Sequence, residues 1–276
     1  MEHIQILFEN IKDDKKEILI ALLSNIGFDG FEEEQQNLKA LIESRKFDEI
    51  LFSRIIEIND VKYSKSIIKE ENWNEKWESD FEPVAVNHPV TNEPFAFIRA
   101  DFHKPNPTFL HDISVTPKMS FGTGHHATTH LMVAHMSEID FKNKSVIDFG
   151  TGTGVLAILA EKLGASHIVG IDNDDWSIAN AKENISVNDC YKIKLEKAET
   201  ITNGLKAEII LANINLNVIK ENIDAIVSAA DQNATFLFSG IMLHDQNMIE
   251  TVLNDAHLKM EILKDKDGWL LLKAKN

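Results

Sequence analysis

A glycine-rich turn near the middle of the chain has the spacing of a ligand-binding loop. Gly150, Gly152 and Gly154 alternate with threonines, after the apolar run 146–149 and before the apolar run 155–160. A strand, a glycine turn and a helix in this order form a cradle for a nucleotide-type ligand, because glycine lets backbone N–H groups approach where a Cβ would block them. The spacing is one residue shorter than the dinucleotide fingerprint. It favours S-adenosylmethionine over NAD, with a plain tight turn as the alternative.

Three further polar positions fall where such a ligand needs them. Asp172 ends the next predicted strand, 22 residues after Gly150, where a carboxylate can accept hydrogen bonds from both ribose hydroxyls. Asn213 ends the fourth strand, and its side-chain oxygen can accept from an incoming amine. Thr128 or Thr129 lies at the start of an apolar helix, whose free N–H groups suit the carboxylate of the methionyl part. The structural alternatives are a cap or turn residue for Asp172 and an Asn-rich turn for Asn213.

Metal and thiol chemistry have little support in the sequence. His125 and His126 are adjacent, so they rarely share one metal, and no Cys or carboxylate stands at ligand spacing. We therefore expect no metal. The single cysteine, Cys190, cannot form an internal disulfide, which indicates a reducing cytoplasm. Glu199 is a candidate for the adenine edge of the ligand.

The charge of the chain limits its partners. The formal net charge is −16 and 43% of residues are hydrophobic. Such a charge opposes DNA, RNA and anionic membrane surfaces and favours a basic partner, although acidity can also serve solubility alone. No apolar run reaches the roughly 18 residues of a membrane span, and the N-terminus has no signal-peptide pattern.

The elements around these positions predict three segments. In residues 1–70 the order βαββαβ predicts a small ferredoxin-like α+β domain for substrate recognition. Residues 71–115 are predicted to be a linker with short strands and a helix that places Trp73 and Trp77 on one face. In residues 116–276, strands and helices alternate and end in an antiparallel hairpin. This order predicts a seven-stranded Rossmann-like S-adenosylmethionine methyltransferase domain.

Five segments together resemble the bacterial ribosomal protein methyltransferase family, PrmA. They are Asn72-Trp73-x-x-x-Trp77-x-x-x-Phe81-x-Pro83, Phe121-Gly122-Thr123-Gly124-His125-x-x-Thr128-Thr129, Val146-Ile147-Asp148-Phe149-Gly150-x-Gly152-x-Gly154, Gly170-Ile171-Asp172 and Leu211-Ala212-Asn213-Ile214. The resemblance covers nearly the whole chain. The second segment is the specific one, whereas many methyltransferases share the glycine turn.

The resemblance implies transfer of methyl groups to lysine ε-amines and to the N-terminal α-amine of large-subunit ribosomal protein number eleven. It implies a free, basic protein substrate, gripped by an N-terminal domain that swings relative to the catalytic domain, and we expect a monomer. The implied cofactor contacts are Thr129, Gly150, Gly152, Asp172 and Asn213. Asn213 and Phe121 are predicted to orient the acceptor amine, with no general base assigned. His126-Ala127 and Asn215-Leu216-Asn217 depart from the family pattern, which leaves the amine's approach less defined than cofactor binding.

Three rival functions stay open at this point. The first is an S-adenosylmethionine-dependent methyltransferase acting on another protein or on a nucleic-acid amine. Base methyltransferases often carry Asn-Pro-Pro-aromatic after the fourth strand, but Ile214 and Asn215 stand in place of the prolines. The second is an NAD-dependent oxidoreductase, disfavoured by the glycine spacing. The third is a non-catalytic binding module, against which the intact glycines and Asp172 argue.

Overall fold

A computed structural model of the protein describes residues 2–34, 37–59, 61–69, 81–116 and 122–276. The chain divides into two compact units, Met1–Lys76 and Trp77–Asn276. The predicted boundaries after residues 70 and 115 stay predictions. The predicted helix with Trp73 and Trp77, and the predicted site residue Phe121, lie outside the described residues.

The first unit is a four-stranded antiparallel sheet with two helices, counted over its described residues. Its elements are β1 (Glu2–Phe8), α1 (Asp13–Ser24), β2 (Gly30–Glu34), β3 (Asn37–Glu43), α2 (Glu49–Asn59) and β4 (Ser64–Lys69). The strand order β2-β3-β1-β4 is that of a ferredoxin-like fold, as predicted. Helix α1 begins at Asp13, with Lys12 at its N-cap position.

Alternation along the strands places the core of this unit. In β1, Ile4, Ile6 and Phe8 are buried, because every second side chain of a strand points to the same face. They belong to one core cluster with Leu19 of α1 and Phe52 of α2. Burial of each such side chain stabilises the fold by about 1.5–3 kcal/mol, so this unit has an apolar core of its own.

The second unit holds a seven-stranded sheet in the described part of the chain. Its strands are β8 (Ser145–Phe149), β9 (His167–Asp172), β10 (Ile193–Lys197), β11 (Ala207–Asn213), β12 (Ala230–Met242), β13 (Lys259–Lys266) and β14 (Trp269–Lys275). The order is β10-β9-β8-β11-β12-β14-β13. Strands β8 to β12 pair in parallel, and β14 pairs antiparallel with both β12 and β13. This is the predicted methyltransferase sheet with its C-terminal hairpin, so the fold-class prediction is confirmed.

Helices cover both faces of this sheet. They are α3 (Ala127–Met136), α4 (Val155–Lys162), α5 (Asp175–Val187), α6 (Leu216–Ser228) and α7 (Gln246–Asp255). Neighbouring residues of a strand enter different cores: Val146 joins the cluster of α3 and α4, and Ile147 joins that of α6 and α7. Strands buried on both faces read as continuous apolar runs, which is why β8 and β11 could be predicted from sequence.

A second sheet of the same unit falls in the range predicted as a linker. It consists of β5 (Val84–Asn87), β6 (Pro94–Arg99) and β7 (His111–Ser114), in that order. Its buried residues Val86, Ile98 and Ile113 belong to the core cluster of α3 and α4. Prolines therefore flank ordered strands here. Among the described residues, no helix is both long enough and apolar enough to cross a membrane.

Candidate active site

A cavity of about 440 Å³ runs along the carboxyl ends of the parallel strands. Its volume lies in the range of small-molecule sites. The residues that line it follow the order of the strands: Glu199 beyond β10, Asp172 at the end of β9, Gly150 after β8, Asn213 at the end of β11, and beyond them Gly240 of β12 and Trp269 of β14. Open α/β sheets bind ligands at this edge, so the cavity is the candidate active site.

The glycine turn between β8 and α4 has the backbone conformation that glycine favours. Gly150, Gly152 and Gly154 have φ of 78°, 54° and 80°. The N–H groups of Gly150 and Thr151 donate to the carbonyl oxygen of Ile171, at 2.8 and 2.9 Å, which ties the turn to β9. A Cβ on Gly150 would overlap the Cγ2 of Ile214. The turn therefore needs glycine for packing as well as for close approach to a ligand.

Asp172 holds the turn from the other side. Its Oδ2 accepts from the Gly152 N–H at 2.9 Å, and its Oδ1 accepts from the Asp174 N–H at 3.1 Å. A carboxylate offers about four lone-pair positions, so both oxygens can accept further hydrogen bonds from a ligand in the cavity. Gly152 and Asp172, predicted as separate contacts, thus form one hydrogen-bonded pair. The residues present fit an adenosyl ligand.

Thr129 and Asn213 also come together. Thr129, in the first turn of α3, is fully buried, and Asn213 is 8% exposed. Asn213 Nδ2 donates to Thr129 Oγ1 at 3.2 Å, whereas the buried Asn213 Oδ1 has no hydrogen-bond partner among the described residues. Leaving a buried acceptor unpaired costs about 1–3 kcal/mol. Because Asn213 lines the cavity, this oxygen marks where a bound group with a donor would fit.

The structure gives the other residues singled out from the sequence smaller roles in the site. Glu199 lies on the cavity rim and is exposed. Among the described residues, no group of three or more His, Cys, Asp or Glu side chains could hold a metal ion. His126 is instead the N-cap of α3, and its side chain accepts from the Thr128 N–H. Burial raises the pKa of the Cys190 thiol to about 11, so this cysteine is held as an unreactive thiol.

Sequence reasoning missed two cavity residues beyond β11. Gly240 interrupts β12 with φ of 85°, where the register with β14 shifts. Trp269 begins β14 and lies edge-on to His126, with ring centroids 4.8 Å apart and an interplanar angle of 70°. No local motif signals either residue. Only the sheet order, which places β14 next to β12, brings them to the site.

A buried carboxyl group lies behind the glycine turn. Asp148 of β8 is fully buried, and its Oδ2 accepts from Thr151 Oγ1 at 2.7 Å. Burial raises the pKa of Asp148 from 3.8 to about 6, against the opposing effect of the Thr151 hydrogen bond. The folded protein therefore keeps a proton here at pH values at which the unfolded chain has released it.

This proton predicts a pH-dependent stability. Between about pH 4 and pH 6 the folded state binds the Asp148 proton and the unfolded state does not, so the free energy of unfolding falls as pH rises. At 1.36 kcal/mol per pKa unit, the total fall is about 3 kcal/mol. Urea unfolding of the wild type and of Asp148→Asn across pH 4–7 checks this. The free energy of unfolding of the wild type minus that of the variant should fall, and can become negative, up to about pH 6 and then level off. A difference that stays constant with pH would contradict the prediction.

Comparison with known proteins places the chain among methyltransferases of ribosomal proteins. Residues 8–276 match the family described as "Ribosomal protein L11 methyltransferase (PrmA)". The chain is 30% identical over 283 residues to "Ribosomal protein L11 methyltransferase" of Phocaeicola vulgatus, with 99% of both chains covered. It is 35% identical over 291 residues to the protein of the same name of Chlorobaculum parvum, with 99% of this chain and 97% of that one covered.

A solved structure supports the same relationship. The "ribosomal protein L11 methylase" of Lactobacillus delbrueckii subsp. bulgaricus superposes with a TM-score of 0.62 at 27% sequence identity. The superposition covers 69% of this chain and 97% of that one. Sequence and fold thus point to one family.

Proposed function

Because the chain belongs to the ribosomal protein L11 methyltransferase (PrmA) family, we propose that it methylates amines of ribosomal protein L11. It is an S-adenosylmethionine-dependent methyltransferase. The acceptors we propose are lysine ε-amines and the N-terminal α-amine. One observation carries the site assignment: a single cavity joins the Asp172 carboxylate to the buried Oδ1 of Asn213, which has no hydrogen-bond partner in the described part of the chain.

Bound S-adenosylmethionine would supply a methyl group already activated on its sulfonium, for transfer to the lone pair of a neutral amine with the S–C electron pair retained by sulfur. The chain's own residues bind and orient. Asp172 would accept hydrogen bonds from the ribose hydroxyls. The turn of Gly150 and Gly152 would let the cofactor approach the backbone closely, because neither residue has a Cβ. Thr129 holds the Asn213 amide, so that its Oδ1 can accept from the acceptor amine. Fixed alignment of reacting atoms is the main contribution expected for an already activated methyl.

The proton of the amine sets a further requirement. A free lysine has a pKa near 10.4, so its ammonium must lose a proton to water or solvent before attack. Hydrogen bonding of the neutral N–H to Asn213 Oδ1 orients the lone pair but removes no proton. We propose no general base, and Asn213 then acts by orientation, together with Phe121.

The charge supports a basic protein as the partner. The net charge of −16 attracts a basic ribosomal protein and opposes DNA and anionic membranes. We propose that the free ribosomal protein is the substrate, recognised by the first unit, and that the enzyme acts as a monomer in the cytoplasm.

The test is transfer of labelled methyl from S-adenosylmethionine to a mixture of free ribosomal proteins, separated afterwards by electrophoresis. We expect label on one band, L11. Label on another ribosomal protein, or on added RNA, would favour the alternative of a methyltransferase with a different amine substrate. Absence of label from every protein and RNA would overturn the proposal.

Asn213→Ala is expected to lower kcat about 5-fold to 30-fold, because one hydrogen bond to the acceptor amine, worth about 1–2 kcal/mol, is lost. Asn222→Ala is the matched control. Asn222 is buried to a similar degree, 9% against 8% exposed, but bonds the Val218 carbonyl oxygen within α6. The control should keep kcat within about two-fold of the wild type. An equal loss of kcat in both variants would contradict the orienting role of Asn213.

A further inference from the structure

The cavity extends beyond the part that the ribose-binding carboxylate and the glycine turn define. Adjacent strands lie about 4.8 Å apart. From Asp172 on β9, Asn213 on β11 is two strands away, roughly 10 Å, and Trp269 on β14 is four strands away, roughly 19 Å. Trp269 therefore lies past Asn213 as seen from Asp172, at the end of the cavity away from that carboxylate.

Three contacts fix the position of Trp269. Its backbone lies opposite Met242 in the register of β12 and β14, and the preceding Gly268 carbonyl oxygen accepts from the Leu243 N–H at 2.8 Å. Its indole meets the His126 imidazole edge-on at 4.8 Å. His126 and Trp269 are each half-buried and both line the cavity. The indole is thus held between the start of α3 and the C-terminal hairpin.

We infer that Trp269 forms the wall of the acceptor subsite and that His126 is a positioning residue for it, a role that rests on the proposed function. The ligand class is an amine at the end of an unbranched alkyl stem. The indole packs against the methylenes of a lysine side chain whose Nζ reaches Asn213. An indole offers an apolar surface to the stem.

The contact also favours the reactive form of the amine. Packing of the stem against the indole removes water from around Nζ, and desolvation lowers the pKa of an ammonium. Asn213 Oδ1 then accepts from the N–H that remains. Trp269 accordingly selects the acceptor, while Asp172 and the glycine turn select the cofactor.

Trp269→Ala tests the wall. We expect the KM for L11 to rise about ten-fold with kcat within about three-fold, and the Kd of S-adenosylmethionine to stay within about two-fold. The Kd of L11, measured by calorimetry without added cofactor, should rise by a similar factor. Trp269→Phe keeps an aromatic wall and should stay within about three-fold of the wild type in KM.

Two substitutions of His126 separate its ring from its helix cap. His126→Asn keeps a good N-cap but removes the ring, so the melting temperature should hold while the KM for L11 rises about three-fold to five-fold. His126→Phe keeps a ring and removes the cap. Its melting temperature should fall by about 2–4 °C, with KM close to that of the wild type.

The outcomes separate the two proposals. If the wild type methylates L11 and Trp269→Ala leaves its KM unchanged, the acceptor wall is wrong and the proposed function stands. If Trp269→Ala raises the Kd of S-adenosylmethionine about as much as the KM, Trp269 belongs to the cofactor side and the inference is wrong. If the wild type neither binds nor methylates L11, both proposals fall.

Discussion

Asp172→Ala is expected to weaken the binding of S-adenosylmethionine at least 100-fold. The variant loses a charged acceptor for two ribose hydroxyls, each such hydrogen bond contributing about 1.5–3 kcal/mol. It also releases the Gly152 N–H, which the carboxylate holds at 2.9 Å, so the glycine turn loses part of its shape. Calorimetric titration with S-adenosylmethionine measures the effect directly.

Two further variants tell the ribose contact from a general loss of charge. Asp172→Asn keeps one acceptor oxygen and should lose only about ten-fold in affinity. Asp175→Ala removes an exposed carboxylate three residues away that pairs with Lys197 at 2.6 Å and does not line the cavity; its affinity should be unchanged. A Kd for Asp172→Ala within about three-fold of the wild type would show that the cofactor binds elsewhere.

The positions at strand ends could be predicted because they depend on local sequence alone. The apolar runs of β8 and β11 are visible as strands, and a polar residue such as Asp172 or Asn213 at the end of a parallel strand must reach the same sheet edge. The pairing of Asn213 with Thr129, 84 residues apart in sequence, was beyond this reasoning. Each residue was predicted to contact the cofactor, but nothing local says that their side chains also contact each other.

The far end of the site could not be predicted, for a topological reason. Trp269 and Gly240 lie in no motif, and they reach the cavity only because β14 pairs between β12 and β13. His126 was considered as a metal ligand because histidine is a common ligand type. Its role as the N-cap of α3 could be recognised only once the first residue of the helix was known. Thr128 and Thr129, of which one was predicted to lie at the start of the helix, are both in the first turn of a helix that begins at Ala127.

Gly240 is the missed residue with the largest expected effect. A Cβ at Gly240 would overlap the Ile214 carbonyl oxygen and lie 2.7 Å from its carbonyl carbon. Gly240→Ala should therefore displace the backbone that follows Asn213. We expect a loss of about 4 kcal/mol of stability, from about 1 kcal/mol for the positive φ and about 3 kcal/mol for the overlap. Since a 1 Å shift can cost about 100-fold in rate, kcat/KM should fall at least that much.

Gly268→Ala is the control for backbone conformation. Gly268 has φ of 79°, close to the 85° of Gly240, but a Cβ there would meet nothing within 4 Å. Its melting temperature should fall by only about 2–4 °C, against about 8–16 °C for Gly240→Ala. Thermal unfolding with methyl transfer measured on the same samples compares them, and equal losses in the two variants would contradict the overlap.

Ile214→Ala distinguishes a clash with side chain from a clash with backbone. The Cβ of Gly150→Ala would overlap only the Cγ2 of Ile214, and the Ile214 Cβ lies 3.8 Å away. In the Ile214→Ala background, Gly150→Ala should therefore lose only the roughly 1 kcal/mol that its positive φ of 78° costs. In the same background Gly240→Ala should lose as much as in the wild type, because its overlap is with backbone atoms that every residue carries. If Ile214→Ala reduced the loss of stability in both double variants, the loop after Asn213 would be easily displaced. The contact with Thr129, rather than the packing against Gly240, would then fix the position of Asn213.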